Sequence, residues 1–207
     1  MTIQNLIRIA GGAVLVLTLF FVIRAILRSQ EASAEQALAV ELIEEALDVH
    51  RDFSDALKLS ADALQKYPED GRLHLLRARA FHGLGRHSDA LAALDAAKRL
   101  SDDADERKEI RFYVAASQIL RFLETGERDD FNKAEGELKL MGEGGRFSSA
   151  ARVLLGRALA QPTRYQNRPE ALRLLKEGLA GDSAPEGLVN LERARKTLAE
   201  LETAESR

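Results

Sequence analysis

The chain has 207 residues, with 30 Lys and Arg against 33 Asp and Glu, so its formal net charge is only −3. A chain this close to neutral offers no bulk electrostatic attraction for nucleic acid. The absence of Cys excludes disulfides, thiol catalysis and thiolate metal ligands. Apolar residues make up 45% of the chain and aromatic residues 5%, and an apolar set dominated by Ala and Leu favours helices over strands.

The first predicted element is an apolar helix at the N-terminus. Residues 9–23 carry no charge, and Arg8 and Arg24 flank them. As a helix, residues 6–27 would extend about 33 Å, which is enough to cross a bilayer core of about 30 Å. We therefore predict a single transmembrane anchor in residues 1–28 and a short polar linker in residues 29–35.

Two other interpretations of this segment stay open. A cleaved signal peptide would use the small residues at 32–34 as its cleavage site, but Arg24 and Arg28 lie where a short polar region should follow the apolar run. A buried core helix is disfavoured because the run shows no amphipathic pattern. The flanking Arg residues leave the orientation undecided. We expect a single-pass protein of the bacterial inner membrane, with the rest of the chain on the periplasmic side.

The remaining chain is predicted to be a series of helices with short loops. The first runs from Glu35 to about His50. The second is capped by Ser54 and ends at Tyr67. Acidic residues at 102–106 and 129–130 precede two further helices, where negative charge complements the helix dipole. The helix after residues 102–106 is predicted to run to about Leu123, and the others cover residues 72–83, 88–100, 131–141, 147–160, 169–180 and, from Pro185, the C-terminus.

An internal repeat organises these helices. Residues 51–57 read RDFSDAL and residues 85–91 read GRHSDAL, an offset of 34 positions. Residues 71–104 then place small and apolar side chains at regular helical positions, namely Ala78, Phe81, Gly85, Ala90, Leu94 and Ala97. This period and this pattern resemble the tetratricopeptide repeat (TPR) family, although Asp102 stands where that family often has Pro. In residues 37–70, Ala56, Ala63 and Pro68 fit, and Glu44 replaces a small residue.

The resemblance implies an all-α, right-handed TPR-like solenoid over residues 36–182. Its repeats are predicted at 37–70, 71–104, about 105–145 and about 146–182, and the last two are degenerate. Residues 183–207 are predicted to form a capping helix, because Leu188, Leu191, Ala194, Leu198 and Leu201 make one apolar stripe. The alternative is an ordinary Ala-rich helical bundle in which the repeat arises by chance.

The sequence predicts no enzyme, cofactor, metal site or small-molecule substrate. His74 and His82 are too far apart on one helix to share a metal. His87 occupies the position that Phe53 fills in the preceding repeat, so packing explains it. The Gly-rich loop at 142–145 lacks the Gly-Lys-Ser/Thr end of a phosphate-binding loop. No nucleophile motif occurs.

The resemblance also implies a binding groove lined by the first helix of each repeat. The first repeat then offers an acidic strip, which includes Glu41, Glu45 and Asp48. The predicted protein-binding residues that follow are Arg72, Leu75, Arg79, His82, Tyr113, Ser117 and Arg157. The alternative is structural: Glu45 or Asp48 would pair with Arg72 or Arg79 between the repeats.

The sequence as a whole predicts a membrane-tethered TPR scaffold that binds other proteins or peptide segments. Such a protein would serve envelope assembly, secretion or maturation. A structural homo-oligomer, built through the anchor and the last helix, is the main alternative. The other alternative is a metal-binding or enzymatic protein.

Overall fold

The computed structural model describes the backbone of residues 3–180 and 189–205, and their side chains except those of 3–21, 26–29 and 205. Nine helices lie in these ranges. They are α1 (Ile3–Asp48), α2 (Phe53–Lys66), α3 (Gly71–Gly83), α4 (His87–Leu100), α5 (Ala104–Thr125), α6 (Arg128–Gly142), α7 (Ser148–Ala160), α8 (Arg168–Ala180) and α9 (Leu191–Glu205).

The helices pack as consecutive hairpins. The pairs are α1 with α2, α3 with α4, α5 with α6 and α7 with α8, and each second helix also contacts the helix that follows it. The first helices contact one another in the order α1, α3, α5, α7, α9. No strand occurs in the described ranges, so the prediction of an all-α chain is confirmed there, and the stacking is consistent with a TPR-like solenoid.

Helix α1 differs from its prediction. It continues without a break through residues 29–35, where the sequence analysis expected a linker. This segment contains no Gly or Pro and is rich in Ala, Glu and Gln, which are good helix formers. No described helix has a stretch both long and apolar enough to cross a bilayer. Most of the predicted anchor, residues 6–21 and 26–27, lies outside the described side chains.

Small residues let the hairpin helices approach closely. A Cβ atom on Gly178 of α8 would come within 2.9 Å of the Ser149 carbonyl oxygen on α7. On the facing helix, a Cβ on Gly156 would lie 3.2 Å from the Ala171 carbonyl oxygen. Ala side chains at 78, 90 and 97 are fully buried in the same way between α3, α4 and their neighbours. The small residues of the repeat pattern are therefore packing positions.

Helix ends are set by local side chains. Asp103 accepts hydrogen bonds from the backbone N–H groups of Asp105 and Glu106 at 2.9 and 2.8 Å, so the acidic segment before α5 caps that helix as predicted. The prediction of Ser54 as the cap of α2 is wrong. Asp52 does this instead, accepting from the N–H of Asp55 at 2.9 Å. The cap and the start of the helix therefore lie two residues earlier than the sequence suggested.

The last helix is also shorter than predicted. It begins at Leu191 and not at Pro185, because Asn190 caps it by accepting a hydrogen bond from the Arg193 N–H at 2.9 Å. Ala194 and Leu201 of α9 are buried against the preceding hairpin. Pro185 and Leu188 lie outside the described residues.

Candidate functional site

The predicted binding residues lie on one row of neighbouring helices, α3, α5 and α7. The central feature of this row is Glu109 of α5, which is 5% exposed. Its carboxylate oxygens lie 3.4 Å from Arg72 Nη1, 3.6 Å from Arg79 Nη1 and 3.7 Å from Arg146 Nη1. A carboxylate buried to this degree is stable only when it is paired. One helix, α3, and the loop between α6 and α7 supply its partners.

The same arginines reach back to α1. Arg72 forms an ion pair with Glu44, and Arg79 forms one with Asp48. We call Glu44, Asp48, Arg72, Arg79, Glu109 and Arg146 the inner charge network. It joins the first helices of three successive hairpins. Charges on its rim remain open to solvent, since the Arg146 side chain is 72% exposed.

Arg79 is the most enclosed cation of the inner charge network, with a side chain that is 10% exposed. Burial disfavours its charged form, but Tyr113 and the neighbouring carboxylates outweigh this effect and hold its pKa above the usual value. Its guanidinium lies over the Tyr113 ring at 6.0 Å, the outer limit of a cation–π contact. Burial raises the pKa of Tyr113 to about 12, so the phenol is neutral.

A second buried polar group lies beside the inner charge network. His82 Nδ1 is 3.1 Å from the Ser117 hydroxyl, and the His82 ring meets Tyr113 edge-on at 5.4 Å. His87 packs against His82 at 5.6 Å and lies 3.4 Å from Glu124. Burial lowers the pKa of His87 despite the attraction of Glu124, so His87 is neutral near pH 7.

Arg157 of α7 differs from the other predicted site residues. It is 8% exposed, and its Nη1 atom has no hydrogen-bond partner among the described residues. Burial, and after it the nearby Arg193, lowers its pKa. No described contact joins it to the inner charge network.

The predicted binding residues are therefore mostly used by the protein's own packing. Leu75 and Ser117 have no exposed surface, and His82 and Tyr113 have almost none. Arg72 keeps about a quarter of its side chain exposed. The alternative interpretation, in which these arginines form ion pairs between the repeats, holds between α1 and α3, because Asp48 does pair with Arg79. Arg72, however, pairs with Glu44 and not with Glu45 or Asp48.

The sequence analysis missed Glu109 and Arg146. Glu109 lies one helical turn before Tyr113 and could have been placed on the same face by that spacing. Glu44 was noticed only as a departure from the repeat pattern, and a charge at a position that normally takes a small residue was the available signal. Among the described residues, no cluster of three or more His, Asp or Glu side chains could hold a metal ion.

A comparison with known protein families finds a match in the middle of the chain. Residues 50–108, which contain α2, α3, α4 and the start of α5, match the family model of the tetratricopeptide repeat. No curated protein sequence matches the chain. No solved structure matches it either.

Proposed function

We propose that this chain, in which residues 50–108 match the tetratricopeptide repeat, is a scaffold that binds other proteins, tethered to a membrane by residues 6–27. The match of residues 50–108 carries the first part of the proposal, since stacked helical hairpins of this family are generally protein-binding surfaces. Nothing in the charge or composition of the chain favours nucleic acid instead.

The partner-binding surface that we propose is the exposed rim of the inner charge network. Asp48 and Arg146 are more than half exposed, and Arg72 and Glu44 are partly exposed. Arg79 lies buried beside them, and its ion pairs with Asp48 and Glu109 hold it in place. A partner would contact the rim, and Arg suits paired contacts with a carboxylate.

The tether is supported by the uncharged run at 9–23 with Arg8 and Arg24 at its ends. Helix α1 passes from Ile3 to Asp48 without a break. A tether in its first part would therefore connect rigidly to the first hairpin and hold the repeats at a fixed place above the bilayer. Tethering raises the effective concentration of a bound partner without new contacts. We propose the bacterial inner membrane, with the repeats in the periplasm and a role in envelope assembly, secretion or maturation.

Photo-crosslinking in native membranes tests the binding surface. A photoreactive residue at Arg146 should capture a defined partner protein, because this position is exposed and borders the inner charge network. The matched control is Arg99 of α4, which is 70% exposed but belongs to no such network. If the two positions capture the same proteins in equal amounts, the proposed surface is wrong.

Carbonate extraction tests the tether separately. The full chain should stay in the membrane pellet, and a variant that lacks residues 1–30 should appear in the supernatant. Recovery of the full chain in the supernatant would contradict membrane tethering and leave the binding proposal standing.

A further inference from the structure

Another face of α5 carries a groove that the inner charge network does not use. Arg107, Arg111, Val114 and Gln118 follow one another at helical spacing and form its floor. Helix α4 makes one wall and α6 the other, and these two helices do not pack against each other in the part of the chain that the structure describes. The groove encloses about 570 Å³.

The groove is cationic, although the whole chain has a net charge of −3. Lys98 comes from the α4 wall, Lys133 from the α6 wall, and Arg107 and Arg111 from the floor, against Glu137 as the one carboxylate among its lining residues. Electrostatic attraction in this groove therefore has a sign opposite to that of the chain as a whole.

Two of these cations are free to act on a ligand. Arg111 is 2.6 Å from Glu137, and Arg107 donates to the Ser101 carbonyl oxygen at 3.0 Å. Lys98 and Lys133 are exposed and form no ion pair with any described residue. The two unpaired ammonium groups thus stand on opposite walls of the groove.

Apolar side chains separate these charges. Val114, which is partly exposed, lies in the groove between the two lysine walls, and the buried Ile110 and Ala115 complete the apolar part of its lining. At Arg111 and Glu137 the groove borders a second hollow of about 560 Å³, which includes Leu140 and one residue of the inner charge network, Arg146. Leu140 is 57% exposed. The surface is therefore long, with alternating cationic and apolar parts.

We propose that the groove between α4 and α6, the α5 groove, binds an acidic peptide segment of a partner protein. Its carboxylates pair with Lys98 and Lys133, and an apolar side chain between them packs on Val114, which is partly exposed. The positive charges of the groove favour an anionic ligand. Its apolar part favours a peptide over a phosphate group or a lipid headgroup, because neither of these carries an apolar side chain that could be buried there. This inference rests on the proposed function and names the chemistry of the partner.

A synthetic peptide tests this directly. The probe is a fluorescent nonapeptide made of three Glu-Glu-Leu units, and its binding to the full chain in mild detergent is followed by fluorescence anisotropy at low salt. We expect the Lys98→Glu/Lys133→Glu variant to bind the probe about tenfold more weakly or worse. Lys58→Glu/Lys196→Glu, which changes the formal charge equally at exposed positions outside the groove, should bind within about twofold of the unmodified chain.

Two control peptides separate the parts of the claim. Replacing Glu by Gln in the probe should abolish the effect of the lysine substitutions, and replacing Leu by Ser should weaken binding to the unmodified chain. The proposal is overturned if the probe does not bind, if both double variants bind it equally, or if the Gln peptide binds as well as the probe. It is also overturned if inorganic phosphate or phosphatidylglycerol vesicles bind through Lys98 and Lys133 while the peptide does not.

Helix content measured by circular dichroism checks that the variants fold, and Lys98→Gln/Lys133→Gln replaces the charge reversal if they do not. A negative result for peptide binding in the α5 groove can be distinguished from a negative result for the proposed scaffold function. If crosslinking at Arg146 captures a partner whose binding ignores Lys98 and Lys133, the scaffold proposal stands and the α5 groove does not.

Discussion

Charged side chains on two faces of α5 differ in whether they are paired within the protein. On one face, Glu109 is buried and shared among arginines from other elements, and those arginines reach further carboxylates on α1. On the other face, the lysines at the walls of the α5 groove have no partner among the described residues. The comparison shows that the charged side chains between α1, α3 and α5 form ion pairs with one another, and these pairs join the packed helices. In the α5 groove, where the flanking helices α4 and α6 do not touch, Lys98 and Lys133 form no ion pair with any described residue.

The largest effect is expected from Glu109→Gln. This change leaves Arg79 and Arg72 buried or partly buried with one carboxylate partner fewer, and it should lower the free energy of unfolding by about 2–4 kcal/mol. Urea unfolding of the full chain followed by circular dichroism measures it. A loss below about 0.5 kcal/mol would mean that the inner charge network does not hold the hairpins together.

Arg79→Ala should have a somewhat smaller effect. It removes the ion pairs to Asp48 and Glu109 and the contact with Tyr113, and we expect a loss of about 1–3 kcal/mol in the free energy of unfolding. Arg99→Ala is the matched control, because its pair with Asp95 is exposed and should contribute less than about 1 kcal/mol. Equal losses in the two variants would contradict the distinction between buried and exposed arginines.

These residues also show how far the sequence could go. The hairpins follow from local features: Ala78, Ala90 and Ala97 mark packing positions, and Asp103 marks a helix start. The inner charge network depends on contacts between side chains of different hairpins. A repeat pattern in the sequence does not give the distances between such side chains. Arg79 was therefore predicted to contact a partner, whereas its position between Asp48 and Glu109 leaves little of it exposed.

Register explains the other differences. The third repeat is longer than the second, so the 34-residue period does not assign Glu109 to a motif position. The uninterrupted helix through residues 29–35 was missed because polar residues were interpreted as a linker, although Ala, Glu and Gln also favour helix. The α5 groove was not predicted, because its lysines and its floor come from three helices, and the spacing of these helices is seen only in the structure.

A pH-dependent effect should distinguish the buried histidine from the exposed charges. Burial lowers the pKa of His87, so the unfolded state binds a proton more readily than the folded state does. The stability that this provides is complete above the unfolded pKa of about 6.5 and is lost as the pH falls through the lowered folded pKa. His87→Phe, which copies Phe53 in the preceding repeat, should lose less stability between pH 7 and pH 5 than the unmodified chain. Parallel unfolding curves for the two proteins across this range would contradict the assignment.

The smallest effect on stability is expected from Lys98→Glu/Lys133→Glu. Both side chains are exposed and unpaired with any described residue, so the free energy of unfolding should change by less than about 0.5 kcal/mol. Urea unfolding under the conditions used for Glu109→Gln measures it. A loss comparable to that of Glu109→Gln would show that the walls of the α5 groove also hold the fold together.

Hydrogen–deuterium exchange of the full chain, with and without the Glu-Glu-Leu peptide, tests the division between the two faces most directly. The account predicts slower exchange of backbone amides in 104–118 and 128–142 when the peptide is present, and unchanged exchange in 71–83. Protection confined to α3 and the end of α1, with none in α5 and α6, would contradict it.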